Sequence, residues 1–143
     1  MPDGQKFDKG KIRYELIPQT VPMALAWVLT DGCKEGGKYD ERNWENGLPW
    51  GKCFGALQRH LAKWWGNVPY DKESGKSHLW HALCELAFLV HYEMTQTGTD
   101  DRPDYRMTEE EVALIDGEDT RIKFLNDYWD RINEYYGTPE GSD

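Results

Sequence analysis

Three of the four histidines fall in one region: His60 in one helical stretch, and His78 and His81 in the next. With Glu85 the latter two read HxxHxxxE, which at ~100° per residue holds His78, His81 and Glu85 within about 60° of one helix face. An imidazole, a second one turn on and a carboxylate a turn further is a spacing that presents several ligands to one divalent cation. His78 belongs to a first turn, where the helix dipole disfavours the imidazolium and leaves a neutral ring. His60 flanks the apolar face of its own helix and reaches the same cleft if the two helices pack antiparallel. The same four residues also make sense as a structural network in which Glu85 holds a core histidine by a hydrogen bond. Spacing alone leaves both readings open.

A second constellation lies upstream, in the loop from Lys34 to Trp50. Lys38 and Arg42 suit phosphates, Gly36 and Gly37 admit close backbone approach, and Asn43 can hydrogen-bond a base edge. Trp44 or Trp50 offers a stacking face. Among the carboxylates there, Glu35 and Glu41 are the candidate general bases, beside Asp40 and Glu45. Arg59 and Lys63, one turn apart on the following helix, are further candidates for phosphate. The competing reading is a solvated loop whose glycines only turn the chain and whose tryptophans plug the end of a bundle.

The elements that must position these groups are helical. Residues 1–18 form an arm, and Thr20 is placed to cap a first helix ending about Asp31, with Pro22 tolerated in its first turn. A second helix is expected from about Lys52 to Trp65, burying Phe54, Leu57, Leu61, Trp64 and Trp65 and stopping at Gly66-Asn67. Ser77 caps a third, His78 to about Thr95, apolar around most of its circumference and therefore central. Asp100-Asp101 before Pro103 reads as turn chemistry. Thr108 and Glu111 make a capping box for a short helix to Ile115. A last helix from Asp119 to Tyr136 sets Ile122, Leu125, Trp129 and Ile132 on one face, and 137–143 read as a frayed tail. The expectation is an all-α fold, a bundle of four to five helices with a long Gly-rich loop between the first two. Residues 19–103 form the principal domain, and 104–136 pack on or extend it.

Composition sets the outer bounds. The chain has 143 residues, 26 acidic against 17 basic, and a formal charge of -9. That balance argues against a nucleic-acid binder, because no basic run offers phosphates a footprint. A small phosphate is still admissible where a metal or a local Lys/Arg cluster neutralises it. Cys33, Cys53 and Cys84 show no CxxC spacing and suit reduced thiols in a cytoplasm. No apolar run approaches the ~18–20 residues that span a bilayer, and Met1 to Arg13 carry no signal-peptide pattern. Seven tryptophans in a chain only 38% apolar suggest that Trp27, Trp64, Trp65, Trp80 and Trp129 supply core volume, leaving Trp44 and Trp50, which bracket the Asn43 loop, for a ligand.

One ordered set of segments goes further. It comprises Lys9-Gly10-Lys11-Ile12-Arg13-Tyr14-Glu15-Leu16-Ile17-Pro18, Lys38-Tyr39 through Arg42-Asn43-Trp44, Arg59-His60-Leu61 and Trp64-Trp65. Glu73-Ser74-Gly75 to His78-Leu79-Trp80-His81-Ala82 and Gly98-Thr99-Asp100-Asp101-Arg102-Pro103 complete it. Together these resemble the phage and bacterial dATP/dGTP diphosphohydrolase N-terminal domain family over roughly residues 6 to 103. The resemblance implies an enzyme of phage nucleotide-pool remodelling that releases pyrophosphate from dGTP or dATP with a divalent metal, Mn²⁺, Co²⁺, Zn²⁺ or Mg²⁺. All-α nucleotide pyrophosphatases usually present ExxE and ExxD carboxylate pairs. Here His78 and His81 stand at the corresponding helix start, and imidazoles suit Mn²⁺, Co²⁺ or Zn²⁺ better than Mg²⁺. The expected metal ligands are His60, His78, His81 and Glu85, with Lys38 and Arg42 on the phosphates and Asn43 and Trp44 on the base. The expected partners are a small nucleotide and further copies of the chain. The alternative function is a protein that sequesters a nucleotide without turning it over.

Overall fold

The structure, a computed structural model, describes residues 3–117 and 121–137. It is all-α, with helices α1 (Thr20–Cys33), α2 (Trp50–Trp65), α3 (His78–Thr95), α4 (Glu109–Ile115) and α5 (Arg121–Tyr136). Short 3-10 turns lie at Tyr14–Leu16 and Asn43–Asn46. Two isolated bridges, Pro49 with Thr99 and Tyr70 with Ser77, are the β pairings among the described residues. The chain divides into two compact units, Met1–Arg102 and Pro103–Asp143. The expected helix start at Asp119, the side chain of Ile122 and the tail beyond Gly137 lie outside the described residues.

In the first unit α3 is central and packs against both α2 and α1. Its start is set as the sequence predicts, with the Ser77 hydroxyl accepting the N–H of Leu79 at 3.1 Å. The end of α2 also falls where Gly66 was expected to stop it, and the Gly66 N–H returns to the Ala62 carbonyl. Two starts differ. Thr20 is already helical, with Gln19 in the cap position and no side-chain cap, because Pro22 takes up a first-turn site that needs no donor. Helix α2 begins at Trp50, since Pro49 presets the turn and Asp101 accepts the free Gly51 N–H at 2.7 Å.

The core is narrow. Ala24, Val28, Trp50, Cys53, Ala82, Cys84 and Tyr92 are its buried apolar residues, and Trp50, Cys53 and Tyr92 form its centre with Trp44, Leu48, Phe88 and Leu89 around them. The predicted buried face of α2 is therefore corrected. Phe54, Leu61, Trp64 and Trp65 are exposed, Trp65 by 81%, while Trp50 and Cys53 take the interior. Trp27 and Trp129 are exposed as well. Burial follows the side that α3 covers, and α2 is covered by one neighbour over only part of its apolar circumference.

The α1–α2 connection, residues 34–49, is pinned to the end of α3. The Tyr92 hydroxyl donates to the Trp44 carbonyl at 2.6 Å, and Trp50 Nε1 to the Thr97 carbonyl at 3.0 Å. Gly47, at φ 87°, lies against Gly98, at φ 76°, where a side chain on either would collide with the other strand of backbone. In the second unit, α4 carries the predicted capping box: Thr108 and Glu111 satisfy each other's backbone N–H groups. Helix α5 packs against it.

Candidate functional site

Helices α2 and α3 run antiparallel, and their register decides which polar groups meet. His60 faces His78 with Nδ1 to Nδ1 at 2.9 Å, and its ring stacks on His81 at 4.9 Å and 14°. Seven positions earlier on α2 and seven later on α3, Cys53 stands beside Glu85. Seven residues are about 10 Å of helix at ~1.5 Å each, so Glu85 shares the histidines' stripe yet sits two turns away. The structure thus brings His60, His78 and His81 together and sets Glu85 apart, with Arg59 as the nearby cation.

The carboxylate that joins the histidines is Asp71, from the loop between α2 and α3. One oxygen of Asp71 and one nitrogen each of His60 and His78 all lie within 4.8 Å of one another. The loop is built to hold it. Asp71 Oδ1 accepts the N–H groups of Glu73 and Ser74 at 3.0 and 2.9 Å, an Asx-type turn closed by Gly75 at φ 70°. Its backbone N–H reaches the Lys76 carbonyl at 2.8 Å, and His78 N–H reaches that of Pro69. The Ser74 hydroxyl lies 2.6 Å from His81 Nε2 and accepts the Lys76 N–H at 3.1 Å, which fixes both groups in place.

Burial disfavours the charged forms of His60 and His81. Burial first, then the neighbouring charges of His81 and His78, bring His60 down to about 4. Burial likewise lowers His81, against the pull of Asp71. For Asp71 burial works upward but is outweighed by the Ser74 N–H, the His81 charge and the Glu73 N–H, and its carboxyl falls below the usual range. His78 is 2% exposed.

The other predicted residues scatter. Lys38 pairs with Glu73 and its charge reaches Asp71, so the α1–α2 loop does deliver a cation to the rim. Lys63, one turn from His60, adds a second. Arg42, at φ 58°, pairs with Glu45 at 2.7 Å, and Arg59 lies exposed near Glu85. Glu35 and Glu41 are exposed in the loop, and Asn43 is half-buried at the start of its 3-10 turn. Trp50 is 7% exposed and is covered by the Arg102 guanidinium at 5.1 Å, which leaves no free face for a purine. Trp44 stacks on Phe88 at 5.4 Å with His91 against its edge. These two tryptophans plug the bundle end.

Sequence reasoning missed Asp71 and Ser74, whose only signal was an Asp-x-x-Ser-Gly turn before a capped helix. It also misplaced the exposed aromatics. Trp64 and Trp65, with Asn67 and Pro69, line a cleft of about 480 Å³ at the end of α2, next to the Asp71 loop. A second cleft, about 430 Å³, belongs to the other unit and is lined by charged residues of α4 and α5, among them Glu111, Lys123, Asp127 and Arg131. No helix among the described residues is long and apolar enough to cross a membrane.

A small all-α unit with imidazoles and a carboxylate converging between two antiparallel helices, and lysines at the rim, belongs to the helical proteins that build a polar site on a helix face. Residues 1–102 match the family described as dATP/dGTP diphosphohydrolase, N-terminal, and the chain belongs to that family. The match ends where the first compact unit ends. No curated protein and no solved structure matches the chain.

Proposed function

We propose that the chain hydrolyses purine deoxynucleoside triphosphates, dGTP or dATP, to monophosphate and pyrophosphate, in the manner of a phage enzyme that remodels the nucleotide pool. The observation that carries this is the convergence of His60, Asp71 and His78 beside Lys38 and Lys63, in the unit that matches the family. The donor set fits a divalent cation: His60 is held neutral and Asp71 ionised, the forms in which both ligate. Such an ion, when bound, supplies Lewis acidity and neutralises phosphate charge.

The chain's own groups do the rest. Lys38 exchanges Glu73 for a phosphate oxygen, and Lys63 meets a second. With its own proton on Nδ1, His81 can act through Ser74: the Ser74 hydroxyl takes a proton from an attacking water as it passes its own to His81 Nε2, 2.6 Å away. The exposed faces of Trp64 and Trp65 offer the purine a stacking surface in a cleft of suitable size. The chain also forms homo-oligomers in this reading, because α1 buries only Ala24 and Val28 while Val21, Met23 and Trp27 stay exposed.

The test is pyrophosphate release from dGTP and dATP by purified protein with Mn²⁺. His81→Gln is expected to lower kcat by roughly 10²–10⁴-fold, the range of a lost general base, with KM little changed. Trp65→Ala is expected to raise KM with kcat nearly intact. Recovery of intact dGTP from the folded, nucleotide-loaded protein would establish sequestration in place of hydrolysis.

A further inference from the structure

Three ligand atoms from three separate stretches of chain meet at one place: His60 from α2, Asp71 from the connecting loop, and His78 from α3. Two imidazole nitrogens turned on each other at 2.9 Å satisfy only one proton between them. Zinc–nitrogen bonds of ~2.0–2.1 Å at tetrahedral angles set two such nitrogens about 3.3 Å apart, which asks the rings to separate by only a few tenths of an ångström. His81 is stacked on His60, but its Nε2 is committed to Ser74 at 2.6 Å. Glu85 lies two turns along α3, beyond the reach of the same ion.

We infer that His60, Asp71 and His78 form a three-ligand site for a borderline ion of the Zn²⁺ or Co²⁺ kind rather than Mg²⁺, and that Ser74 holds His81 outside the ligand set. Mg²⁺ demands oxygen ligands in near-octahedral order and keeps its waters, whereas imidazole nitrogen selects zinc and its neighbours. Three protein ligands leave coordination positions open, the pattern of a working rather than a structural site. The ion would also tie α2, the loop and α3 together, so binding it stabilises the fold by mass action. The ion's use in hydrolysis rests on the function proposed above, while its binding needs no turnover.

The experiment is a Co²⁺ titration of the full chain, stripped of metal by a chelator and free of nucleotide. A visible d–d band of tetrahedral intensity should appear, saturate at one ion per chain, vanish on Zn²⁺ addition and survive excess Mg²⁺, with a rise in Tm. Asp71→Asn and His78→Ala should weaken Co²⁺ binding by on the order of 100-fold, while Glu85→Gln and His81→Gln keep the band. Asp71→Asn decides the matter if His78→Ala fails to fold. A wild-type chain with helical circular dichroism and no band overturns the site, as does loss of the band in Glu85→Gln with Asp71→Asn binding normally. A Co²⁺ band in a protein that returns dGTP intact supports the site and removes only the hydrolysis.

Discussion

Protonating His60 places a charge against two other imidazoles in a half-buried cleft, and the folded chain resists it. Its pKa falls from an ordinary 6.5 to about 4, and that of His81 also falls. Below 6.5 the unfolded chain therefore binds more protons than the folded one, and stability present at neutral pH is lost as pH drops toward about 4. Asp71 adds to the loss at the acid end, since its folded pKa lies below the ordinary 3.8. Thermal melts in chelator should show Tm falling steeply between pH 6.5 and 4, and His60→Gln should flatten that slope. A wild-type Tm that is level across this window would contradict the neutral cluster. Glu85 has the opposite sign. Burial raises its pKa against the pull of Cys53 and Arg59, so its ionised form costs stability as pH rises through the carboxylate range. Glu85→Gln should accordingly raise Tm at pH 8 and lose that advantage by pH 4. Angular spacing made the histidine stripe legible in the sequence. Angle alone kept Glu85 in that stripe, because a helical wheel projects out the roughly 10 Å of rise that separate Glu85 from His78.

At the scale of elements, the caps of α3 and α4 and the stop of α2 were readable, while the Thr20 cap and the packing were not. Ser77, Gly66 and the Thr108–Glu111 box act through bonds within four residues of themselves, so the local sequence contains the whole interaction. Trp50 is different. Its burial depends on Thr97, Arg102 and Tyr92, more than forty positions away, and nothing beside it in the sequence announces them. The same holds for Asp71, whose helical partners lie on either side of a loop that helical periodicity cannot describe. The joint that buries Trp50 is testable. Gly98 sits at φ 76° with the Leu48 backbone and Trp50 Nε1 within reach of any added Cβ. Gly98→Ala should cost on the order of 2–4 kcal/mol, from left-handed strain together with displacement of the Leu48–Thr99 contact. Trp50→Ala should cost about 3–5 kcal/mol as a large buried ring lost from a narrow core. Denaturant unfolding measures both, and a loss under ~1 kcal/mol in either would show that the joint does not hold the bundle end.

On the scale of the whole molecule, the acidic balance and the proposed phosphate chemistry are reconciled by position. The charge of -9 disfavours long polyanions, yet Lys38 and Lys63 stand at the rim of a site where burial keeps His60 and His81 from protonating readily. Every residue of that site lies within Met1–Arg102, which is also the extent of the family match. The contacts that close this unit are internal to it: Trp50 N–H to the Thr99 carbonyl, Gly51 N–H to Asp101, and the Arg102 guanidinium over Trp50. A chain cut after Arg102 retains all of them. Such a fragment should keep a cooperative melt and the Co²⁺ band, and, on the function proposed above, it should match the full chain in pyrophosphate release from dGTP. Circular dichroism, cobalt absorption and a pyrophosphate assay on the fragment check these three outcomes separately. If the fragment folds and binds cobalt but loses turnover, residues 103–143 contribute to catalysis. If it fails to fold, the first unit depends on the second for its stability.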